Sequence, residues 1–253
     1  MKGRLLILIL LFAISTPGHC QTGGLKKEQI KVVEQLINII KTKNKTKIAG
    51  FIYFPLRRVY PVKDVKDKED FINRFDEIFD QELINHISNS KIEDWTEVGW
   101  RGIMLDNGTV WIDNNGKIVS INYQSPKEKQ LLANMIKADK NRLPQSLQNF
   151  EKPVYKIITK SYEIRIDENT SGKYRYASWK IKNRSVEPDL VIENGILEFQ
   201  GSGGNHIIRF KNKHYTYIIS INKIRSKEIP EAALEILKDD QPLLTENGTI
   251  KRN

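Results

Sequence analysis

Apolar residues recur along this chain with two different periods, and the changes of period divide it. From Lys26 to Lys43, Ile30, Val33, Ile37 and Ile40 return every three or four positions, while Lys31, Glu34, Gln35 and Asn38 fall between them. That spacing gathers the apolar set on one side of a 3.6-residue turn and predicts an amphipathic helix. A short apolar stretch follows, Ile48 to Phe54, and Pro55 ends any helix there because its ring removes a backbone donor. Arg57 to Val62 predicts a short strand. Asp67 to Ser88 carries the clearest helical stripe, with Phe71, Phe75, Ile78, Phe79, Leu83 and Ile87. Asp67 is placed to cap that helix, and Asp70 adds negative charge to its first turn.

The period then shifts to two. Glu97 to Leu105, Thr109 to Asp113 and Lys117 to Tyr123 read as strands, separated by Asp106-Asn107-Gly108 and Asn114-Asn115-Gly116. Asn-Gly between such runs supplies the positive backbone angles of a tight hairpin, so an antiparallel meander is expected. Alternation in its first strand puts Trp100 and Gly102 on one face and Gly99, Arg101 and Ile103 on the other. Pro126 to Lys140 predicts a helix with Leu131, Leu132 and Met135 as its apolar side. Leu143-Pro144-Gln145 breaks it and marks a boundary. Residues 151–253 then read as eight or nine short strands, among them Tyr162 to Ile166, Lys173 to Ile181 and Tyr215 to Ile221. Turns are expected at Glu193-Asn194-Gly195, Lys211-Asn212-Lys213 and Lys238-Asp239-Asp240-Gln241. This pattern predicts a small antiparallel barrel or sandwich. The fold class is therefore α+β: 21–125 with helices and a curled meander, 126–150 a helical link, and 151–253 an antiparallel β domain.

Residues 1–20 follow a different logic. A basic start, Met1 to Arg4, precedes the apolar run Leu5 to Ile14 and a polar exit ending at Cys20, the one cysteine of the chain. That order is a secretory signal peptide, with a run too short for a stable membrane span. It places the protein outside the cytoplasm, periplasmic or secreted. Cys20 has two readings. Cleavage after it leaves Gln21 as the new terminus, whereas lipid attachment to it would tether the protein to a membrane face. Either way the folded part has no cysteine, hence no disulfide and no thiolate metal site.

Charge sharpens the division. The chain carries +10 overall; residues 21–125 hold 16 Lys+Arg against 15 Asp+Glu, and residues 126–253 hold 23 against 16. A basic exported half can meet an anionic glycan, a membrane face or an acidic protein, or simply stay soluble. No nucleic-acid-binding pattern, zinc spacing or phosphate-binding loop is present, so neither a nucleic-acid partner nor a cofactor or metal is expected.

Two resemblances add expectations. Helices, an aromatic-faced helix (Phe71 to Phe79) and a meander running from Gly99-Trp100-Arg101-Gly102-Ile103-Met104 into Val110-Trp111-Ile112 resemble the cone fold of nuclear-transport-factor-like and SnoaL-like domains. That likeness implies a sheet curled around a pocket for ligands, catalysis or partners, with acidic, His or Tyr side chains in enzymatic members. Residues 151–253 resemble small periplasmic lysozyme-inhibitor barrels, although the cysteine pair of that family is missing here. Gly201-Ser202-Gly203-Gly204-Asn205-His206 approximates its Ser/Gly loop.

Candidate chemistry collects at few places. The 201–206 loop lets backbone N–H groups approach an anion, with Ser202, Asn205 and His206 as polar contacts, or serves only as a wide hairpin. His86 ends the long helix at the border of its stripe, where Asp80 or Asp76 would make a general acid–base pair, or the helix dipole alone would favour it. Arg101 would clamp a carboxylate in a concave site. Tyr174, Tyr176 and Trp179, beside Arg175 and Lys180, would meet a glycan or protein or cover the barrel core. The leading functional expectation is an exported, non-enzymatic binding or inhibitor-type protein acting on an extracytoplasmic protein or glycan. The alternative is a SnoaL-like enzyme using His86 with an acid. Oligomeric state is open.

Overall fold

The computed structural model of the protein describes residues 24–252. Residues 1–20, read from the sequence as a signal peptide ending at Cys20, lie outside them. The chain is α+β in two parts, each built around its own apolar cluster.

The first part opens with α1 (Lys27–Lys41), α2 (Lys45–Ala49), α3 (Lys68–Asn73), α4 (Phe75–Ile78) and α5 (Gln81–Ser88). The single helix expected over Asp67 to Ser88 is thus three short ones. The break before α5 lies at Asp80, whose carboxylate accepts from the backbone N–H of Leu83 at 2.8 Å and from the Tyr123 hydroxyl at 2.7 Å. A capping side chain starts a new helix rather than continuing the old one. The apolar stripe survives the breaks: Phe71, Phe75, Ile78, Phe79, Leu83 and Ile87 are all buried. Phe71 meets Phe75 and Phe79 edge-on, each with centroids 5.6 Å apart.

Against this face lies a curled antiparallel sheet of β1 (Trp95–Glu97), β2 (Ile103–Leu105), β3 (Val110–Ile112) and β4 (Ile118–Ile121), in that order. The strand expected from Glu97 to Leu105 is interrupted by a 3₁₀ turn at Gly99–Arg101. Gly102 has φ 94°, and a Cβ there would sit 2.2 Å from the Ile112 carbonyl oxygen, so the chain folds back and β1 pairs with β2. The alternation expected for residues 99–103 is lost, and Trp100 stands exposed at the hairpin tip.

The second part is a closed eight-stranded barrel of β5 (Lys152–Thr159), β6 (Tyr162–Glu168), β7 (Tyr174–Lys180), β8 (Leu190–Phe199), β9 (His206–Asn212), β10 (Tyr215–Ile221), β11 (Ala232–Lys238) and β12 (Gln241–Ile250). Each strand pairs antiparallel with the next, and β12 closes the ring on β5 through Gly248↔Thr159, Thr249↔Ile158 and Ile250↔Ile157. Closure removes the unpaired sheet edges. Isoleucines from alternating positions fill the interior around Tyr176, whose ring lies 5.6 Å from Phe210 and 5.5 Å from Tyr217. Glu193-Asn194-Gly195 is not a turn. β8 runs through it as a bulge, because Gly195 faces inward under Phe210, where a Cβ would come within 2.2 Å of the ring.

Between the parts runs α6 (Pro126–Arg142), capped by Ser125, whose hydroxyl accepts from the Glu128 N–H at 3.0 Å. Its buried residue is Glu128, not the apolar side the sequence marks. Arg58 Nε donates to Glu128 at 2.6 Å, and its other nitrogens reach the carbonyls of Ile121 and Tyr123 at 2.7 and 2.9 Å. At the far end Asp139 meets Lys156 at 3.2 Å and Arg165 at 2.7 Å. The segment after α6 then crosses the outer wall of the barrel. Leu147 packs there with Ala177 and Trp179, and the Phe150 ring lies under Lys140 and Arg165 at 4.7 and 4.9 Å. Arg175 bonds the carbonyls of Leu147 and Asn149, and shares Asp167 with Arg165. The helical link is a strut bonded at both ends. Among the described residues no helix is long and apolar enough to cross a membrane.

Candidate binding cleft

A concavity of about 440 Å³ lies where the two parts meet. One wall is the loop after α2. Leu56 and Val65 exchange both backbone hydrogen bonds at 2.9 Å, which closes that loop and projects Arg57 to Tyr60 toward the barrel. The other wall is one end of the barrel: the start of β5 at Lys152 to Tyr155, the end of β12 at Ile250 and Arg252, and the β10–β11 connection.

That connection, residues 222–231, is held in shape by its neighbours. Asn222 Nδ2 donates to the Pro230 carbonyl at 2.9 Å. Asn205 binds the backbone of Ile224 twice, Nδ2 to the carbonyl at 3.0 Å and Oδ1 from the N–H at 2.9 Å. His206 bonds the Gly204 carbonyl through Nδ1 at 2.8 Å and faces the Tyr155 hydroxyl through Nε2 at 3.0 Å. A carbonyl only accepts, so Nδ1 carries the proton and Nε2 accepts from Tyr155. Burial holds the imidazole below its ordinary pKa; the Gly204 bond opposes this and nearby Lys223 reinforces it. Burial likewise pushes the Tyr155 hydroxyl up to about 12. Asn205 and His206 thus brace the cleft wall rather than line it.

Cations dominate the lining: Arg57, Arg58, Lys152, Lys223, Arg225 and Arg252 against Glu231 alone. Most are already matched. Arg57 pairs with Asp64, Arg58 with Glu128, Lys152 with Glu168 at 3.0 Å and Arg252 with Glu231 at 2.6 Å. Among the described residues neither Lys223 nor Arg225 pairs with a carboxylate; Arg225 reaches the Ile229 carbonyl at 3.3 Å. Lys223 is exposed, and the protein crowding around it, with Arg252 and Arg57 nearby, holds its ammonium below its ordinary pKa, against the opposing pull of Asp64 and Glu231.

The remaining residues singled out from the sequence do not converge. His86 lies 2.6 Å from Asp106 across an open depression, not from Asp80 or Asp76. Asp80 caps α5 and binds Tyr123, and Asp76 pairs with Lys45 at 3.0 Å. Arg101 is exposed, its guanidinium 5.6 Å from the Trp111 ring. Tyr176 points into the barrel and Trp179 outward beneath Leu147, so these two share no surface and both are buried. Tyr174 is half-buried against the barrel core, and Ser202 is exposed at its loop tip. Among the described residues no group of His, Cys, Asp and Glu could hold a metal ion.

The cleft residues Arg57, Lys223, Arg225 and Arg252 escaped sequence reasoning. A local signal existed, three cations and two isoleucines within Asn222-Lys223-Ile224-Arg225-Ser226-Lys227-Glu228-Ile229, but nothing there announces the facing wall. No protein-family model matches the chain, and no curated protein or solved structure matches it either.

Proposed function

We propose that the mature chain is an exported, non-catalytic binding protein whose partner is an extracytoplasmic protein or glycan carrying negative charge. The observation that carries this reading is the cleft between the two parts, which six cations line and where two of them, Lys223 and Arg225, form no ion pair with a carboxylate among the described residues. Such a set of charges with apolar walls draws anions in and orients them. The two family likenesses support the same reading in outline: helices followed by a curled sheet are the element order of a cone-type partner-binding fold, and a closed eight-stranded barrel is compatible with an inhibitor-type module. Export is the proposal of the N-terminal segment, with membrane tethering if Cys20 is lipidated.

A second reading, acid–base chemistry at His86, has one observation in its favour, the 2.6 Å approach of Asp106. Against it, the apolar stripe is packed with Phe71, Phe75 and Phe79 where a reaction pocket would be needed.

The test is binding of the mature protein to arrays of extracytoplasmic glycans and proteins, beside the charge-reversed variant K223E/R225E. Ligands that bind the parent and are lost by the variant are expected. Identical binding by both would remove the cleft from consideration. Binding that instead disappears in H86A would favour the second reading.

A further inference from the structure

We propose that the cleft takes a dianionic oxyanion, a phosphate monoester, carried on a small apolar ring, with Lys223 and Arg225 as its principal contacts. This rests on the cleft being the binding site and goes further by naming the ligand chemistry.

Four of the six cations already have carboxylate partners, at Asp64, Glu128, Glu168 and Glu231. Among the described residues Lys223 and Arg225 form no ion pair; Glu231, already held by Arg252, acts on both only at longer range. They sit two residues apart on one braced connection, with Arg57 and Arg252 close enough to act on Lys223. Two unmatched positive charges call for two negative ones. A phosphate monoester carries about −1.5 to −2 at neutral pH and offers three acceptor oxygens, enough for an ammonium and a guanidinium together. A single carboxylate would leave one cation unmatched.

The walls set the rest of the ligand. Val59, Val154, Tyr155, Ile221 and Ile250 line the cleft beside the cations, so an apolar body next to the anion gains burial there. The volume of about 440 Å³ falls in the range of small-ligand sites, roughly 300–1,000 Å³. It suits one phosphorylated ring, whether free or at the end of a larger chain. The Tyr155 hydroxyl is engaged by His206, which fixes that wall before any ligand arrives.

The experiment is calorimetric titration of the full mature chain at neutral pH and low salt with phenyl phosphate, inorganic phosphate, benzoate and phenol. Phenyl phosphate is expected to bind at least tenfold more tightly than each of the other three. K223M and R225Q should each weaken it tenfold or more. E231Q removes the one lining carboxylate and should tighten it severalfold, a direction that damage to the cleft cannot produce. Affinity should also fall as pH rises through the lowered Lys223 titration, more steeply in the parent than in K223M. Arg57, Arg252, Asp64 and Glu231 are the charged groups that set that titration.

Benzoate binding as tightly as phenyl phosphate overturns the dianion, and inorganic phosphate doing so overturns the apolar body. K223M and R225Q without effect overturn the site. If phenyl phosphate fails while the array ligands still depend on Lys223 and Arg225, the ligand class is wrong and the cleft stands. If the array ligands ignore both residues, the cleft itself falls.

Discussion

The two ends of α6 bury charge in the same way and satisfy it differently. At the first end, Arg58 is closed off by Glu128 and two backbone carbonyls, and both side chains are almost wholly buried. At the barrel end, Arg165 and Arg175 share Asp167, with Asp139 and Lys156 at the rim, and three buried nitrogens, Arg165 Nη1 and Nη2 and Arg175 Nε, make no hydrogen bond, Nη2 being held instead by its 2.7 Å ion pairs to Asp139 and Asp167. Phe150 stacks beneath both guanidiniums and stands in for the missing acceptors. The first end works as a single satisfied pair. The second is a network in which each carboxylate holds more than one cation, so losing one acid strands several charges.

Asp167→Ala should therefore be the most damaging change, at about 5 kcal/mol, because removing one partner of a buried pair leaves an uncompensated charge. Here it strands two. For a chain of this size that lowers Tm by roughly 10–20 °C, which calorimetry would read. A loss under about 2 kcal/mol would mean the network is wetter than its burial indicates. Glu128→Ala comes next, at about 3–4 kcal/mol. Its contrast is the double replacement of Arg58 and Glu128 by methionine, which should recover most of that loss because no unpaired charge remains. Urea unfolding of the three proteins separates the pair from its shape.

Burial would raise the Asp139 carboxyl, but the bond and charge of Arg165, with Lys156, hold it below its ordinary value. A carboxylate lowered by folding stabilises the native state above its unfolded pKa, and that contribution is lost as pH falls through the folded one. The parent should lose stability below about pH 4, and D139N should show a shallower acid limb from a lower neutral-pH starting point. Parallel limbs would argue that Asp139 contributes nothing specific. Smallest of all is the exposed pair. His86→Ala should change stability by no more than about 0.5 kcal/mol, as surface ion pairs usually do. A larger loss would show that His86–Asp106 behaves like the buried anchors.

Much of the architecture was legible beforehand. The Phe71 to Ile87 stripe is buried as its spacing requires, and the Asn-Gly turns separate β2, β3 and β4 where they stand. The run of short strands announced a barrel or sandwich. The misses share one cause. Asp80 ends a helix because Tyr123, forty-three residues away, fixes its carboxylate. Gly195 continues a strand because Phe210 lies over it. Neither neighbour is visible in a local window.

The candidate site shows the same limit more sharply. The loop 201–206 drew notice for its glycines, yet Asn205 and His206 act as braces for a different loop. Arg57, Lys223, Arg225 and Arg252 come from three distant segments and share a cleft only because α6 is pinned at both ends. The chain by itself determined periodicity, hence the element types, the α+β class and the basic bias of the second half, since these depend on near neighbours. Tertiary structure alone decided which charges are matched. An ion pair depends on distance in space, and the partner of Arg58 lies seventy residues away.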